Sequence, residues 1–137
     1  MYRPVLVDTN VILDVSTNDP KWSEWSSTAL ERAANDSILV INPIIYAEVS
    51  VAYKKVEDLE RMLPPASFRR EPLPYEAAFL AGKAFLRYKQ RGGRSKLRPL
   101  PDFYIGAHAA VAGFSLLTRD AARYRAYFPS VDVIAPD

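Results

Sequence analysis

The run Val5, Leu6, Val7 is apolar without interruption, and so is the β-branched run from Ile38 to Ile41. A strand with one wet face alternates apolar and polar residues. A strand that is apolar throughout is covered on both faces, as in a parallel sheet between helices. Pro4 to Asp8 and Ile38 to Ile41 are therefore expected as buried strands, with Ser115 to Thr118 as a third. Val131 to Ile134 reads as a last alternating strand, and Arg69 to Leu73 as a short one.

Helical spacing fills the gaps between these runs. Asn10 to Ser16 forms a short helix, and Lys21 or Trp22 to Ala34 a second, with Trp22, Trp25, Ala29 and Ala33 at helical spacing. Asn42 is a good N-cap and Pro43 a good first residue for a helix to about Tyr53. Glu57 to Leu63 is stopped by the Pro64, Pro65 pair. Tyr75 to about Arg91 is the longest pattern, with Phe79, Gly82, Phe85 and Leu86 on one side and Gly92, Gly93 at its end. Asp102 to Ala112 is a mostly apolar helix, and a short one follows from Thr118, Arg119 and Asp120 through Tyr127. Strands alternating with helices predict a three-layer α/β/α fold with a mainly parallel sheet. The 137 residues, 49% of them hydrophobic, suffice for one domain over 1–137 with a core of its own.

Several classes drop out. With no cysteine, disulfide frameworks, zinc-thiolate sites and thiol nucleophiles are excluded. No apolar run approaches the twenty or so residues of a membrane span, and the N-terminal stretch lacks the pattern of a signal peptide, so a soluble, cytoplasmic protein without membrane contact is expected. His108 is the only histidine. It lies six residues from Asp102 on the apolar helix, on a different face, which favours packing over catalysis. There is no GxGxxG or Walker pattern.

What remains is acidic. In an open parallel sheet the ligand crevice lies beyond the carboxyl ends of the strands. Asp8 closes the first strand, Asp120 lies just past the strand ending near Thr118, and Asp102 starts the helix feeding that strand. Glu48 stands six residues beyond Asn42, roughly 7–9 Å along its helix at about 1.5 Å per residue, and its long side chain can reach back. Each of the three aspartates also reads as a helix cap or turn residue, and Glu48 as a surface residue. Gathered on one edge they would repel one another unless a cation offset the charge. Mg²⁺ or Mn²⁺, hard ions that take oxygen ligands and keep several waters, would do so. The chemistry that follows is phosphodiester cleavage by metal-activated water.

Charge is unevenly distributed. From Ala77 to Pro101 there is no Asp or Glu, while Lys83, Arg87, Lys89, Arg91, Arg94, Lys96 and Arg98 supply seven positive charges, leaving the rest of the chain net acidic. Arg91, Arg94, Lys96 and Arg98 end four residues before Asp102 and are expected to contact RNA phosphates beside the acids; a solvated loop is the other reading.

The strings VLVDTNVILD at 5–14, INPIIYAEVS at 41–50, LPDFYIGAHAAVAGFSLLTRD at 100–120 and the following RYRAYFP, in this order, resemble the PIN domain and specifically VapC-type ribonuclease toxins. The resemblance implies that Asp8, Glu48, Asp102 and Asp120 form the family's acidic quartet. Asp8 and Asp102 would be the direct Mg²⁺ or Mn²⁺ ligands, with Glu48 and Asp120 completing the shell. It further implies that Thr9, Asn10 and Thr118 orient the acids and the water. An endoribonuclease toxin, a cognate VapB-like antitoxin and a homodimer follow as expectations. Two rival readings stay open: a PIN-type nuclease for RNA maturation or structured DNA, and a noncatalytic RNA-binding module.

Overall fold

The computed structural model describes residues 3–94 and 100–136. Its three central strands, β1 (Val5–Val7), β2 (Leu39–Ile41) and β4 (Ser115–Leu117), are buried at every position. Successive side chains of a strand point to opposite faces, so both faces of this sheet are covered. With β3 (Phe68–Arg70) and β5 (Val133–Ile134) they make a five-stranded sheet in the order β3-β2-β1-β4-β5. Every pairing is parallel. Val5 is in register with both Leu39 and Ser115, so β1, β2 and β4 run level across the sheet.

The covering helices are α1 (Thr9–Ser16), α2 (Ser23–Asp36), α3 (Pro43–Ser50), α4 (Val56–Met62), α5 (Tyr75–Gln90), α6 (Pro101–Ala112) and α7 (Ala122–Tyr127). The expected three-layer α/β/α architecture is the one found, with the sheet parallel throughout. Local chemistry sets the helix starts. Asp8 caps α1 by accepting from the Thr9 amide, and Asn42 caps α3 by accepting from Ile45 N at 3.0 Å with Pro43 just inside. Gly113, with φ +73°, ends α6 in the left-handed conformation that glycine adopts without a Cβ penalty.

Several boundaries differ from those the residue pattern predicts, among them β5, which is Val133–Ile134 rather than Val131 to Ile134, and α2, which is Ser23–Asp36 rather than Lys21 or Trp22 to Ala34. The third strand is Phe68–Arg70 rather than Arg69 to Leu73, because buried Phe68 sets the register against Leu39 while Pro72 cannot donate to a ladder. Helix α3 stops at Ser50, and the chain to Tyr53 continues in tighter turns, Ala52 N and Tyr53 N each donating to a carbonyl three residues back. Helix α7 begins at Ala122, since the Asp120 amide donates to Thr118 Oγ1 at 3.1 Å instead of opening a helix. Asp102 is the second residue of α6, after Pro101, and not its cap.

Helix α5 also divides its faces unexpectedly. Its buried residues are Ala77, Ala81 and Ala84, while Phe79 and Leu86 are 69% and 51% exposed. Small side chains on the inner face let α5 lie close along α6. His108 is 2% exposed, and its Nδ1 lies 3.0 Å from Asn42 Nδ2. Burial lowers its pKa, so the neutral ring accepts from the Asn42 amide and ties α6 to the start of α3.

Two glycines make the packing testable. A Cβ on Gly106 of α6 would collide with the buried ring of Phe128, whereas one on Gly82 of α5 would meet nothing within 4 Å. Gly82→Ala should therefore stabilise the protein by roughly 0.5–1 kcal/mol, through lower backbone entropy in the unfolded chain. Gly106→Ala should destabilise it by about 1–3 kcal/mol through overpacking. Urea denaturation of both variants measures this, and shifts of the same sign would contradict the packing.

Candidate active site

The chain leaves β1 toward β2 on one side and later returns to β4 on the other. The strand order thus reverses between β1 and β4, and a crevice opens beyond their carboxyl ends. Asp8 stands one residue past β1 and Thr118 one residue past β4. The Asp8 amide donates to Leu117 O at 2.9 Å, continuing the ladder and fixing the carboxylate at the mouth of the crevice.

Asp8 is 4% exposed. Its Oδ1 accepts from Thr9 N at 2.7 Å, and its Oδ2 accepts from Thr118 Oγ1 at 2.8 Å, Tyr124 OH at 3.0 Å and, more weakly, Asn10 Nδ2 at 3.4 Å. Glu48 reaches back along α3, as its position requires, and its Oε1 accepts from Thr9 Oγ1 at 2.6 Å. Asp102 Oδ1 lies 3.3 Å from Tyr124 OH, and Asp102 Oδ2 accepts from Arg123 Nη1 at 3.2 Å. Asn10 Oδ1 accepts from Arg119 N at 3.3 Å, and Asn10 Nδ2 donates to Thr118 Oγ1 at 3.2 Å, which clips α1 to the loop after β4. Asp8, Glu48, Asp102 and Asp120, with Thr9, Asn10 and Leu13, line one cavity of about 210 Å³.

Burial pushes the Asp8 carboxyl up to about 6, and the Asp102 charge adds to the rise; donation from Thr118, Tyr124 and Thr9 holds it back. Burial and the two carboxylates also raise Tyr124, which stays a neutral hydroxyl. That hydroxyl has one hydrogen and two carboxylates within reach, so it satisfies only one of them at a time. The amino ends of α1 and α6 point their partial positive charge at Asp8 and Asp102, offsetting some of the repulsion.

Tyr124 and Arg123 are the two residues of this network that sequence reasoning missed. A buried tyrosine hydroxyl requires a partner, but which acid it meets depends on how α7 packs, and no spacing rule gives that. Asp14 is a further buried acid with a different employment. It accepts from Ser26 Oγ at 2.7 Å and pairs with Arg119 Nε at 2.8 Å, joining α1, α2 and the loop after β4 outside the cavity. Of the basic block, Arg91 sets its guanidinium 5.1 Å from the Tyr127 ring centroid, and Arg94 is exposed. Lys96 and Arg98 lie outside the described residues.

The donor set of the cavity is oxygen with one amide, which suits Mg²⁺ or Mn²⁺ and no softer metal. Among the described residues no three acids or histidines converge tightly enough to enclose an ion by themselves. That arrangement agrees with an ion that takes one or two carboxylates and fills its remaining positions with water and substrate phosphate. The residues present fit the metal in kind, with Asp8 and Asp102 the pair that Tyr124 already brings together.

Residues 5–129 match the family model described as PIN domain. The chain belongs to the PIN domain family. PIN domains are as a rule nucleases. No curated protein matched the chain significantly. Among solved structures, VapBC2 from Rickettsia felis, bound to a promoter DNA fragment, is similar with TM-score 0.73 at 19% identity, over 98% of this chain and 99% of that one. A toxin-antitoxin complex from Klebsiella pneumoniae gives TM-score 0.70 at 25% identity, over 97% and 98%. VapBC-1 from nontypeable Haemophilus influenzae gives 0.71 at 18%, over 96% and 97%. Among the described residues no helix of this PIN domain is long and apolar enough to cross a membrane.

The electrostatics of Asp8 give a signed pH dependence. With a folded pKa of about 6 against 3.8 in the unfolded chain, the metal-free native state binds more protons between those values. The Asp8 contribution to stability is therefore full below about pH 4, falls as pH rises through 6, and is flat above; its span is up to about 3 kcal/mol. Unfolding in EDTA from pH 4 to 8, parent against Asp8→Asn, isolates it. A parent-minus-variant difference that grows more favourable as pH rises would contradict the assignment. Tyr124→Phe should weaken Mn²⁺ binding by roughly 10-fold or more while the fold survives, because its hydroxyl holds one carboxylate of the pair, Asp8 at 3.0 Å or Asp102 at 3.3 Å, in place. Isothermal titration reads this, and unaltered affinity would remove Tyr124 from the site.

Proposed function

We propose that the chain is a divalent-metal-dependent endoribonuclease of the VapC type, the toxic component of a type II toxin-antitoxin pair. The observation that carries the nuclease reading is the convergence of Asp8, Glu48, Asp102 and Asp120 on one cavity at the switch point of a PIN sheet. In this reading Asp8 and Asp102 hold the ion directly, while Glu48 and Asp120 complete its surroundings. Thr9 fixes Asp8 and Glu48 together, and Asn10 with Thr118 holds Asp8 toward the cavity. When bound, Mg²⁺ or Mn²⁺ supplies a lowered water pKa and neutralises charge developing on the phosphodiester.

An acidic cavity repels the RNA backbone, so positive charge must flank it. Arg91 and Arg94, with Lys96 and Arg98 of the same block, are assigned to RNA phosphates. The toxin reading and a VapB-like antitoxin partner draw support from the named complexes that share this fold. A homodimer is supported by the apolar row Tyr75, Phe79 and Leu86, which lies exposed along one side of α5. The protein is assigned to the cytoplasm.

Purified protein should cleave single-stranded RNA with Mg²⁺ or Mn²⁺ and not in EDTA. Asp8→Asn and Asp102→Asn should each keep the fold, checked by thermal unfolding, and lose cleavage by at least ~10²-fold, the scale on which one charge-stabilising group acts. An unaltered rate in either variant would sink the quartet. Cleavage of structured DNA in place of RNA would favour the rival PIN-type nuclease, and RNA binding without cleavage the noncatalytic module.

A further inference from the structure

Arg123 stands at the edge of the acidic cavity, and its surroundings differ from those of the other arginine nearby. Arg119 gives its Nε to Asp14, a carboxylate only 3% exposed, and lies over the Trp22 ring at 5.6 Å, so it is committed to holding α1 against α2. Arg123 pairs with Asp102, which is itself a residue of the cavity and 39% exposed. Its guanidinium also lies 5.6 Å from the ring centroid of Tyr88 and 5.8 Å from that of Phe103. These rings belong to one cluster, with Tyr88 5.5 Å from Phe103 and Phe103 5.3 Å from Tyr127. The aromatic faces hold the guanidinium whether or not Asp102 accepts from it.

That independence matters because Asp102 cannot serve two cations equally. Once Asp102 binds a divalent ion, Arg123 loses its carboxylate but keeps its aromatic support, with planar donors facing the cavity. A non-bridging phosphate oxygen matches that vacancy in charge and geometry. We infer that Arg123 is a substrate-phosphate contact at the edge of the cavity, exchanging Asp102 for a phosphate of the bound polynucleotide when a metal takes Asp102. The inference rests on the nuclease reading above and adds a positioning cation that the basic block does not contain. Arg91, set against Tyr127 of the same cluster, would take a neighbouring phosphate.

The test uses Arg123→Gln and Arg123→Lys in the full chain, with thermal unfolding confirming that each is folded. Binding of a phosphorothioate single-stranded RNA is measured across a salt series with Mg²⁺, where the sulfur substitution slows cleavage, and in EDTA, where Arg123 keeps its Asp102 partner. With Mg²⁺, Arg123→Gln is expected to weaken binding by about 3- to 10-fold and to flatten the log-log salt slope by about 0.7, the release of one phosphate contact on a single strand, with a smaller effect in EDTA. Single-turnover cleavage of ordinary RNA should fall by roughly 10²-fold at saturating RNA. Arg123→Lys should restore the salt slope but little of the rate, since it keeps the charge and loses the planar fork. A parental slope in Arg123→Gln with Mg²⁺ present overturns the inference, as does tighter Mn²⁺ binding with undiminished cleavage, which would make Arg123 a mere competitor for Asp102. A parent that binds RNA through Arg123 yet cleaves none overturns the nuclease reading alone. A parent that binds no RNA removes the phosphate contact.

Discussion

The Asp8 carboxylate is an anion placed where the protein interior opposes it, and much of the chain is arranged to hold it there. Four donors reach it from four places in the sequence: the first amide of α1, the side chain of Asn10, the hydroxyl of Thr118 beyond β4, and the hydroxyl of Tyr124 on α7. The first two are local to the chain, but the last two are in place only if β1 and β4 are parallel neighbours and α7 folds back over their ends. The site is thus a consequence of the sheet order, and the sheet order is in turn stapled at its open end by the site. Even so, the donors do not fully offset desolvation, since the carboxyl remains pushed up to about 6. That residual imbalance is what a hard cation would relieve on binding.

The same economy separates the two buried aspartates. Asp14 has its own guanidinium, and its Oδ2 takes both Ser26 and Arg119. A charge paired in this way holds elements together and is not available to a ligand. Asp8 has no cation within pairing distance among the described residues, only neutral donors and a second carboxylate nearby. Two acids of one helix, its cap and its last turn, therefore differ in what they can bind because one is electrically complete and the other is not.

What could be read from the residues follows from which interactions are local. Uninterrupted apolar runs gave β1 and β2, Asn42 with Pro43 gave the start of α3, and the rule of strand carboxyl ends brought Asp8, Glu48, Asp102 and Asp120 to one edge. Those are short-range signals, each carried by a few adjacent residues. Tyr124 and Arg123 escaped because their partners lie 21 or more positions away, and only the docking of α7 decides which acids they meet. The buried face of α5 escaped for a related reason. Periodicity weighs large apolar residues most, whereas close helix packing selects Ala77, Ala81 and Ala84 and leaves Phe79 outside. Helix α7 was expected to start too early because Thr118 and Asp120 are strong turn formers whose side chain and amide bond each other.

The aromatic cluster connects these levels. Tyr88 comes from the last turns of α5, Phe103 from the first turn of α6 and Tyr127 from the end of α7, and their rings meet at 5.3–6.3 Å in edge contacts. Phe103 follows Asp102 directly, so the cluster fixes the base of the α6 acid as well as the end of the helix that leads into the basic segment. Tyr88 before the segment and Phe103 after it therefore pack against each other next to Asp102. The guanidinium groups of Arg91 and Arg123 lie on rings of this one cluster, a placement suited to planar delocalised cations and poor for ammonium groups. The guanidinium of Arg123 is thus held by dispersion and ring electrostatics as well as by Asp102, so its position does not depend on that carboxylate alone.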